Sequence, residues 1–523
     1  MIPAYAPKIV RAAEADTVSR AAHEGDPDRL MRIAARAVAD AVEEHRRREP
    51  PTGGIEVCAI AGGGDNGGDA LYAAAFLAED GVRASALAVG SQIHEGAAAA
   101  CKKAGVAILR APLSSPNADD PADWLSQGEA AQALTAPVWI DGVLGTGLAG
   151  AVRDPLAAII RALADIDVQH TPFIVAVDCP SGLTDEDGEA HLPHLRADHT
   201  ITMGALKTPL VLPPAAYHST RVSVCDLGID LPDTRVHVVE SADVPRVVRA
   251  PGWADHKYTR GVAGLVVGSD TYPGAGILAS MGANGAGCGM IRLDAPRRVC
   301  DLALARVPGI VAVGGRIQAG LIGPGMDDKT RASARELAGF CIAQSLPLVV
   351  DAGGLDLVAP MAADGLAETT VLTPHAGEAA RMLSTLGDTR PRWRVEERPV
   401  AAARELAQST GATVLLKGAR TLIASPDGSI IVSHQGSGWS AVAGSGDVLA
   451  GVLVALSATW QARREQRIEV VPFAELIGVG AWIHAEAGMA AARGLGSAGG
   501  PISADQIALA IPGVIGRALD GRA

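Results

Sequence analysis

The feature that most constrains this chain is a repeated strand pattern: short, wholly apolar runs rich in β-branched residues that stop abruptly at glycine or aspartate. Val57-Cys-Ala-Ile-Ala61, residues 84–89, Val138-Trp-Ile140 and Phe173-Ile-Val-Ala-Val177 show no polar alternation, and Ala-rich helical stretches separate them. A strand that turns neither face to water belongs in a parallel sheet, whose crossover helices cover both sides. Helical patterns at residues 9–22 and 30–45 precede the first strand, and residues 112–123 read as a surface insertion. The same pattern resumes at Leu265-Val-Val267 and continues through residues 346–350, Val371-Leu372 and Val414-Leu-Leu416. Residues 421–424 and 430–433, joined across Pro426-Asp427-Gly428, read as a hairpin. Between the two series, residues 241–255 carry Pro245, Pro251 and few apolar clusters. The expectation is an α/β protein of two consecutive α/β domains, residues 1–240 and 250–523, with the linker between them.

Composition narrows the function classes. A length of 523 residues with 48% hydrophobic and 20% charged residues suits a folded chain of several domains. A net charge of -13 and only 3% aromatic residues argue against a general nucleic-acid binder and against a base-stacking platform. The seven cysteines are scattered and never spaced C-x-x-C, which points away from disulfides and thiolate zinc, toward a reducing compartment. Residues 1–20 show no signal-peptide core, and the longest apolar run, residues 448–460, is too short to span a bilayer. The chain is expected to be cytoplasmic, to act on small molecules without nucleic acid or membrane, and to form a homo-oligomer.

Three strand ends in the first half carry chemistry. The first runs into Gly62-Gly-Gly-Asp-Asn-Gly-Gly-Asp69 and then a helix, so backbone amides can approach an anion at a helix start. No acid follows about 20 residues later to hold a ribose, as an ordinary dinucleotide loop requires. Asp65 and Asp69 inside the loop would repel a pyrophosphate. Either a cation sits between them, or Asp69 faces another part of the ligand. The other two ends, Asp141-Gly-Val-Leu-Gly-Thr-Gly147 and Asp178-Cys-Pro-Ser-Gly182, each place an Asp where ligands bind in open parallel sheets. Lys207 lies between apolar segments, and a buried lysine there needs an anion.

Asn66-Gly-Gly-Asp69, Asp141-x-x-x-Gly-Thr-Gly147, Val177-Asp-x-Pro-Ser-Gly182 and Met203-Gly-x-x-Lys207 resemble the NAD(P)H-hydrate epimerase family, over about residues 5–230. The resemblance implies a Rossmann-like domain. It implies substrate contacts at Asp65, Asn66, Gly67, Gly68, Asp69, Gly145, Thr146, Gly147, Leu148 and Asp178, and a potassium ion on Asn66, Asp141 and Ser181. Asp178 is the expected proton-transfer residue, with Lys207 as its electrostatic partner. Asp65 and Ala70 depart from the family's usual Asn and Gly.

In the second half, Gly444-Ser-Gly-Asp447 opens directly into an apolar helix. A glycine turn at a helix start offers amides to a transferring phosphoryl group, and an Asp there can accept the proton of an attacking hydroxyl. Ile322-Gly-Pro-Gly-Met326, Asp351-Ala-Gly-Gly354, Leu372-Thr-Pro-His-Ala-Gly-Glu378 and Leu415-Leu-Lys-Gly-Ala-Arg-Thr421 each follow or close an apolar strand. These segments, with His256-Lys-x-x-Arg-Gly261, make residues 250–520 similar to the ribokinase-like ADP/ATP-dependent NAD(P)H-hydrate dehydratases. The resemblance implies hydrate contacts at Ala263, Gly325, His375 and Asp447, and nucleotide contacts at Lys417, Gly418, Ala419, Arg420, Thr421 and Gly446. Mg²⁺ is expected with the nucleotide. Asp351-Ala-Gly-Gly and Ser437 depart from the family's usual residues. The expected activity is twofold: interconversion of the R and S hydrates of NAD(P)H, then nucleotide-dependent dehydration of the S form. The alternative is a ribokinase-like small-molecule kinase fused to a non-catalytic binding or scaffold domain.

Overall fold

The computed structural model describes residues 1–51, 53–112, 121–146, 150–166, 171–183, 185–358, 360 and 365–521. Most of the expected surface insertion, residues 113–120, lies outside them. The chain divides into two compact units, Ala4–Thr234 and Met1–Pro3 with Arg235–Ala523.

A short strand, β1 (Ile2–Ala4), opens the chain. The first unit then contributes β2 (Val57–Ala61), β3 (Ala84–Ala88), β4 (Ala107–Arg110), β5 (Val138–Gly142), β6 (Phe173–Val177), β7 (Ala197–Met203) and β8 (Ser219–Cys225). They form one parallel sheet of order β4-β3-β2-β5-β6-β7-β8. Its strands lack polar alternation because both faces are covered. Val57, Ala59 and Ala61 pack into one apolar cluster with Leu71 and Val38, while Cys58 and Ile60 enter another with Trp139 and Ile159. Strand order reverses between β2 and β5, and the register sets Ala61 beside Gly142. The loops after these two strands therefore diverge over a crevice at the carboxyl edge.

The second unit holds β9 (Val236–Val238), β10 (Val262–Val266), β11 (Met290–Asp294), β12 (Ala319–Ile322), β13 (Leu348–Val350), β14 (Thr370–Leu372), β15 (Thr413–Leu416), β16 (Leu422–Ala424) and β17 (Ile430–Val432). Its sheet has the order β1-β9-β17-β16-β15-β14-β13-β12-β10-β11. The strands from β11 to β15 are parallel, and β16 runs antiparallel to both β15 and β17, as the hairpin pattern predicts. The reversal here falls between β10 and β12.

The units divide before the expected linker. β9 pairs with β17, and Val244 and Val247 of the short helix Val244–Val247 are buried in the second unit's core. A three-residue strand is too brief to show a period, and Val244 and Val247 on either side of Pro245 look like linker until their packing is seen.

One helix, Ser445–Glu465, runs through that core and starts at the phosphoryl-transfer motif. It lies against the helix Pro273–Ala286 at glycine contacts. A Cβ on Gly451 would stand 2.1 Å from the Ala279 carbonyl oxygen, and one on Gly282 2.3 Å from that of Val448. Gly451→Ala gains up to about 1 kcal/mol of helix propensity. The clash is with backbone, which cannot rotate away, and overpacking costs about 1–3 kcal/mol. The variant is expected to unfold at lower urea than the wild type; an unchanged or higher midpoint contradicts this packing.

Candidate functional site

In the first unit the carboxyl ends of the strands surround a cavity of about 1080 Å³, lined among others by Glu14, Gly64, Asn66, Asp69, Thr146 and Asp178. Residues 62–64 turn from β2 into the helix Asp65–Glu79. The turn is closed tightly: a Cβ on Gly62 would stand 1.9 Å from Val143 O, and one on Gly67 2.1 Å from Gly62 O. Gly67 and Gly68 are thus buried beneath the loop, whereas Gly64 faces open space. Gly67 N and Gly68 N are satisfied by Gly64 O at 3.0 and 3.2 Å, while the amides of Asp65 and Asn66, as at any helix start, have no i−4 partner within the helix.

Asn66, Asp141 and Ser181 come together. Asp141 is fully buried and accepts hydrogen bonds from Ser181 N at 2.8 Å, Ser181 Oγ at 2.6 Å and Val143 N at 3.3 Å. Burial raises its pKa, and the Ser181 hydrogen bonds oppose that shift. Leu144 N donates to Ser181 Oγ at 2.8 Å, and Asn66 Nδ2 donates to Val177 O at 2.7 Å. The cluster is rich in oxygen and holds one buried carboxylate, a donor set that suits a hard cation of low charge.

Asp178 follows β6 with a φ of 68°, in the left-handed region that costs a non-glycine residue about 1–2 kcal/mol. Its Oδ1 accepts from Lys207 Nζ at 2.5 Å, Met203 N at 3.1 Å and Thr202 Oγ1 at 3.2 Å, and its Oδ2 from Thr146 Oγ1 at 3.1 Å. Lys207 is 2% exposed and Asp178 6%. The buried lysine has the anion that its apolar setting demands. Gly145 and Thr146 line the cavity, while Gly147 and Leu148 lie outside the described residues. Ala70, where the family usually has Gly, is fully buried against Gly142, so the extra methyl group is accommodated by a glycine opposite.

In the second unit, Lys417 follows β15 and its Nζ donates to Asp351 Oδ1 at 2.7 Å, with Glu378 Oε2 at 3.8 Å. Thr373 Oγ1 donates to the same Asp351 oxygen at 2.7 Å. Burial acts against the charge of Lys417, but Asp351 and Glu378 outweigh it and raise the pKa. A Cβ on Gly446 would stand 3.6 Å from Lys417 Nζ and 4.0 Å from Asp351 Oδ2, so the glycine leaves the lysine open to the helix start. Asp447 sits beside them. Burial pushes its carboxyl group up to about 6, the Asp351 carboxylate adds to the shift, and Lys417 opposes it. His375 bridges to Lys417 across the strand ends, but its Nδ1 is already the cap acceptor for Gly377 N at 3.0 Å and Glu378 N at 3.2 Å. Gly418, Ala419, Arg420 and Thr421 form the turn from Lys417 into β16, and Gly325 follows β12 at the sheet reversal. Ala263 is not brought to this edge. It is the second residue of β10, fully buried in the apolar core. The motif before it fixes where β10 begins, and the ligand edge lies at the strand's other end.

Motif reading underrated Asp351, which departs from the family pattern yet anchors Lys417. It also gave no site role to Glu14, which lines the first cavity, or to His484, whose Nε2 lies 3.3 Å from Ser445 Oγ and 3.0 Å from Ser445 O in the glycine turn. The signal for Asp351 was present: it is the polar residue that ends the apolar strand β13. Glu14 and His484 sit on helices far along the chain from the motifs, and only the fold brings them in.

Two family descriptions match the chain in order: "YjeF-related protein N-terminus" over residues 27–209 and "NAD(P)H-hydrate dehydratase" over residues 263–507. The chain is similar to the bifunctional NAD(P)H-hydrate repair enzyme of Mycobacterium leprae, 36% identical over 516 residues, covering 96% of this chain and 97% of that one. It is 38% identical over 469 residues to the protein of the same description from Mycobacterium tuberculosis, covering 87% and 89%. Among solved structures, the ADP/ATP-dependent NAD(P)H-hydrate dehydratase from Bacillus subtilis, co-crystallised with ATP/Mg²⁺, is 24% identical. It covers 54% of this chain and 99% of its own, with a TM-score of 0.44.

The ion pair in the first unit makes a direct prediction. Lys207→Met strands Asp178 as a buried carboxylate without its counterion, which costs about 3–5 kcal/mol. Urea unfolding at neutral pH is expected to show that loss. A loss below about 1 kcal/mol, typical of a surface pair, contradicts the assignment.

Proposed function

Because the chain belongs to the family of bifunctional NAD(P)H-hydrate repair enzymes, we propose that each unit performs one half of the repair of hydrated nicotinamide cofactors. The first interconverts the R and S forms of the hydrate. The second dehydrates the S form at the expense of ADP or ATP and regenerates NADH or NADPH. Relatives described as repair enzymes span both halves, which disfavours the kinase-with-scaffold alternative.

The observation that carries the second activity is a carboxyl group, Asp447, in the first turn of a buried helix beside Lys417, where burial pushes it up to about 6. Asp447 accepts the proton of the hydrate's hydroxyl as its oxygen attacks the terminal phosphorus of the nucleotide. The nucleotide departs one phosphate shorter. Hydroxide is a poor leaving group and phosphate a good one. The phosphate therefore leaves with the C–O bonding pair, and the adjacent carbon loses a proton to restore the ring double bond. Lys417 and the amides at Gly446 lie where charge develops on the transferring group. Magnesium would enter with the phosphates, neutralising their charge beside Asp351 and Asp447.

In the first unit, Asp178 with Lys207 is the proposed proton-transfer pair, facing a cavity large enough for a dinucleotide head. Asn66, Asp141 and Ser181 would hold potassium, which supplies positive charge beside an anionic ligand.

The test is recovery of dihydronicotinamide absorbance from purified hydrate with ADP or ATP. Asp447 must be ionised to act, so kcat/KM is expected to rise with pH to a plateau above about 6 and to fall on the acid side. Asp447→Asn is expected to lower kcat by about 10²–10⁴ and to abolish the acid limb. Wild-type activity in that variant, or a stable phosphorylated product in place of NAD(P)H, overturns the reading.

A further inference from the structure

Among the carboxylates of the first unit's cavity, Asp69 stands apart. It is 6% exposed, it lines the cavity, and its buried Oδ1 has no hydrogen-bond partner. As the fifth residue of the helix Asp65–Glu79 it is too far in to cap the helix, whose cap position is Gly64. Its surroundings are acidic. Asp178, Asp65 and Glu14 line the same cavity. The nearby cation, Lys207, is bound to Asp178 Oδ1 at 2.5 Å, and Arg11 on the cavity wall reaches Thr146. An ionised Asp69 would be a buried charge among like charges, which a protein avoids by keeping the group protonated. Burial first, and then the carboxylates of Asp178, Asp65 and Glu14, raise its pKa well above the usual range.

Resting on the epimerase reading, we propose that Asp69 is a second catalytic residue of this site, the carboxylic acid that protonates the departing hydroxyl of the hydrate. Two carboxyl groups in one cavity, one against a lysine and one among acids, is the arrangement that divides acid from base roles. The hydroxylated ring carbon is bonded to the ring nitrogen. Asp69 gives its proton to the hydroxyl oxygen, and the C–O bond breaks with both electrons going to oxygen, releasing water. The nitrogen lone pair forms the C=N bond of an iminium ion. Water adds to the opposite face of that carbon and loses a proton, and one proton returns to the Asp69 carboxylate. One water leaves and one enters, no electron is gained or lost, and no co-reactant is consumed.

The experiment uses the full chain and a single resolved hydrate epimer without nucleotide, and follows formation of the other epimer. Asp69→Asn keeps the shape and hydrogen-bonding capacity of the side chain but has no proton to give. Epimer exchange is expected to fall by about 10²–10⁴ in kcat, with KM changed only a few-fold. Dehydration of the S epimer by the second unit is expected to be unchanged. In ¹⁸O-labelled water the wild type is expected to place label in the hydroxyl with each inversion. Its kcat is expected to fall on the alkaline side as the acid loses its proton; this arm stands even where the variant does not fold. Exchange within about threefold of wild type in Asp69→Asn, a change in KM alone, inversion without label, or a flat alkaline profile each overturn the proposal. A wild-type chain that exchanges epimers no faster than buffer overturns the epimerase reading itself, which is a separate outcome.

Discussion

A charge removed from water must meet an opposite charge, and both candidate sites are organised around that demand. In each unit a lysine at the carboxyl edge of a parallel sheet is fastened to an aspartate that ends another strand: Lys207 to Asp178 of the adjacent strand at 2.5 Å, and Lys417 to Asp351, two strands away across β14, at 2.7 Å. Beside each pair stands a second carboxyl group, Asp69 in one case and Asp447 in the other, whose pKa burial raises. The backbone accommodates this arrangement, with Asp178 held at φ 68° and Ala352, next to Asp351, at φ 46°. Strain of this kind persists only where the surroundings over-determine it, and here the fixed lysines and the hydrogen bonds to the carboxylates supply that restraint.

The parallel sheets determine where these groups can be. Where strand order reverses between β2 and β5 the loops separate and open the first unit's cavity, and in the second unit Asp351 and Lys417 gather at the carboxyl ends of β13 and β15. Glycine makes the crevice usable, because Gly62 and Gly67 let the first loop close on itself and Gly446 leaves Lys417 accessible. A helix start then brings backbone amides to the same place, and two unrelated chemistries use one architectural plan.

Much of this was legible in the amino-acid order, because apolar strands and glycine turns are local signals. Phe173–Val177 and Val57–Ala61 need only their own residues to be recognised as buried parallel strands. The need of Lys207 for an anion could be argued from its apolar neighbours alone. What escaped was set by distant contacts. β9 is a strand only because β17 lies beside it, so the units divide at Thr234 and not within residues 241–255. Ala263 has the right motif before it, but the wrong end of its strand faces the ligand edge. The acidic surroundings of Asp69 depend on Glu14 and Asp178, which no spacing rule connects to it.

The central claim is that one chain carries two cooperating sites, the first supplying the second with the epimer it consumes. The most direct measurement is the extent of conversion of a mixed hydrate sample with excess nucleotide, when spontaneous epimer exchange is slow. The wild-type chain is predicted to convert the whole sample to NAD(P)H. The Asp178→Ala chain is predicted to stop when the S epimer is exhausted, with the R epimer left intact. Complete conversion by Asp178→Ala at the wild-type rate would contradict the account.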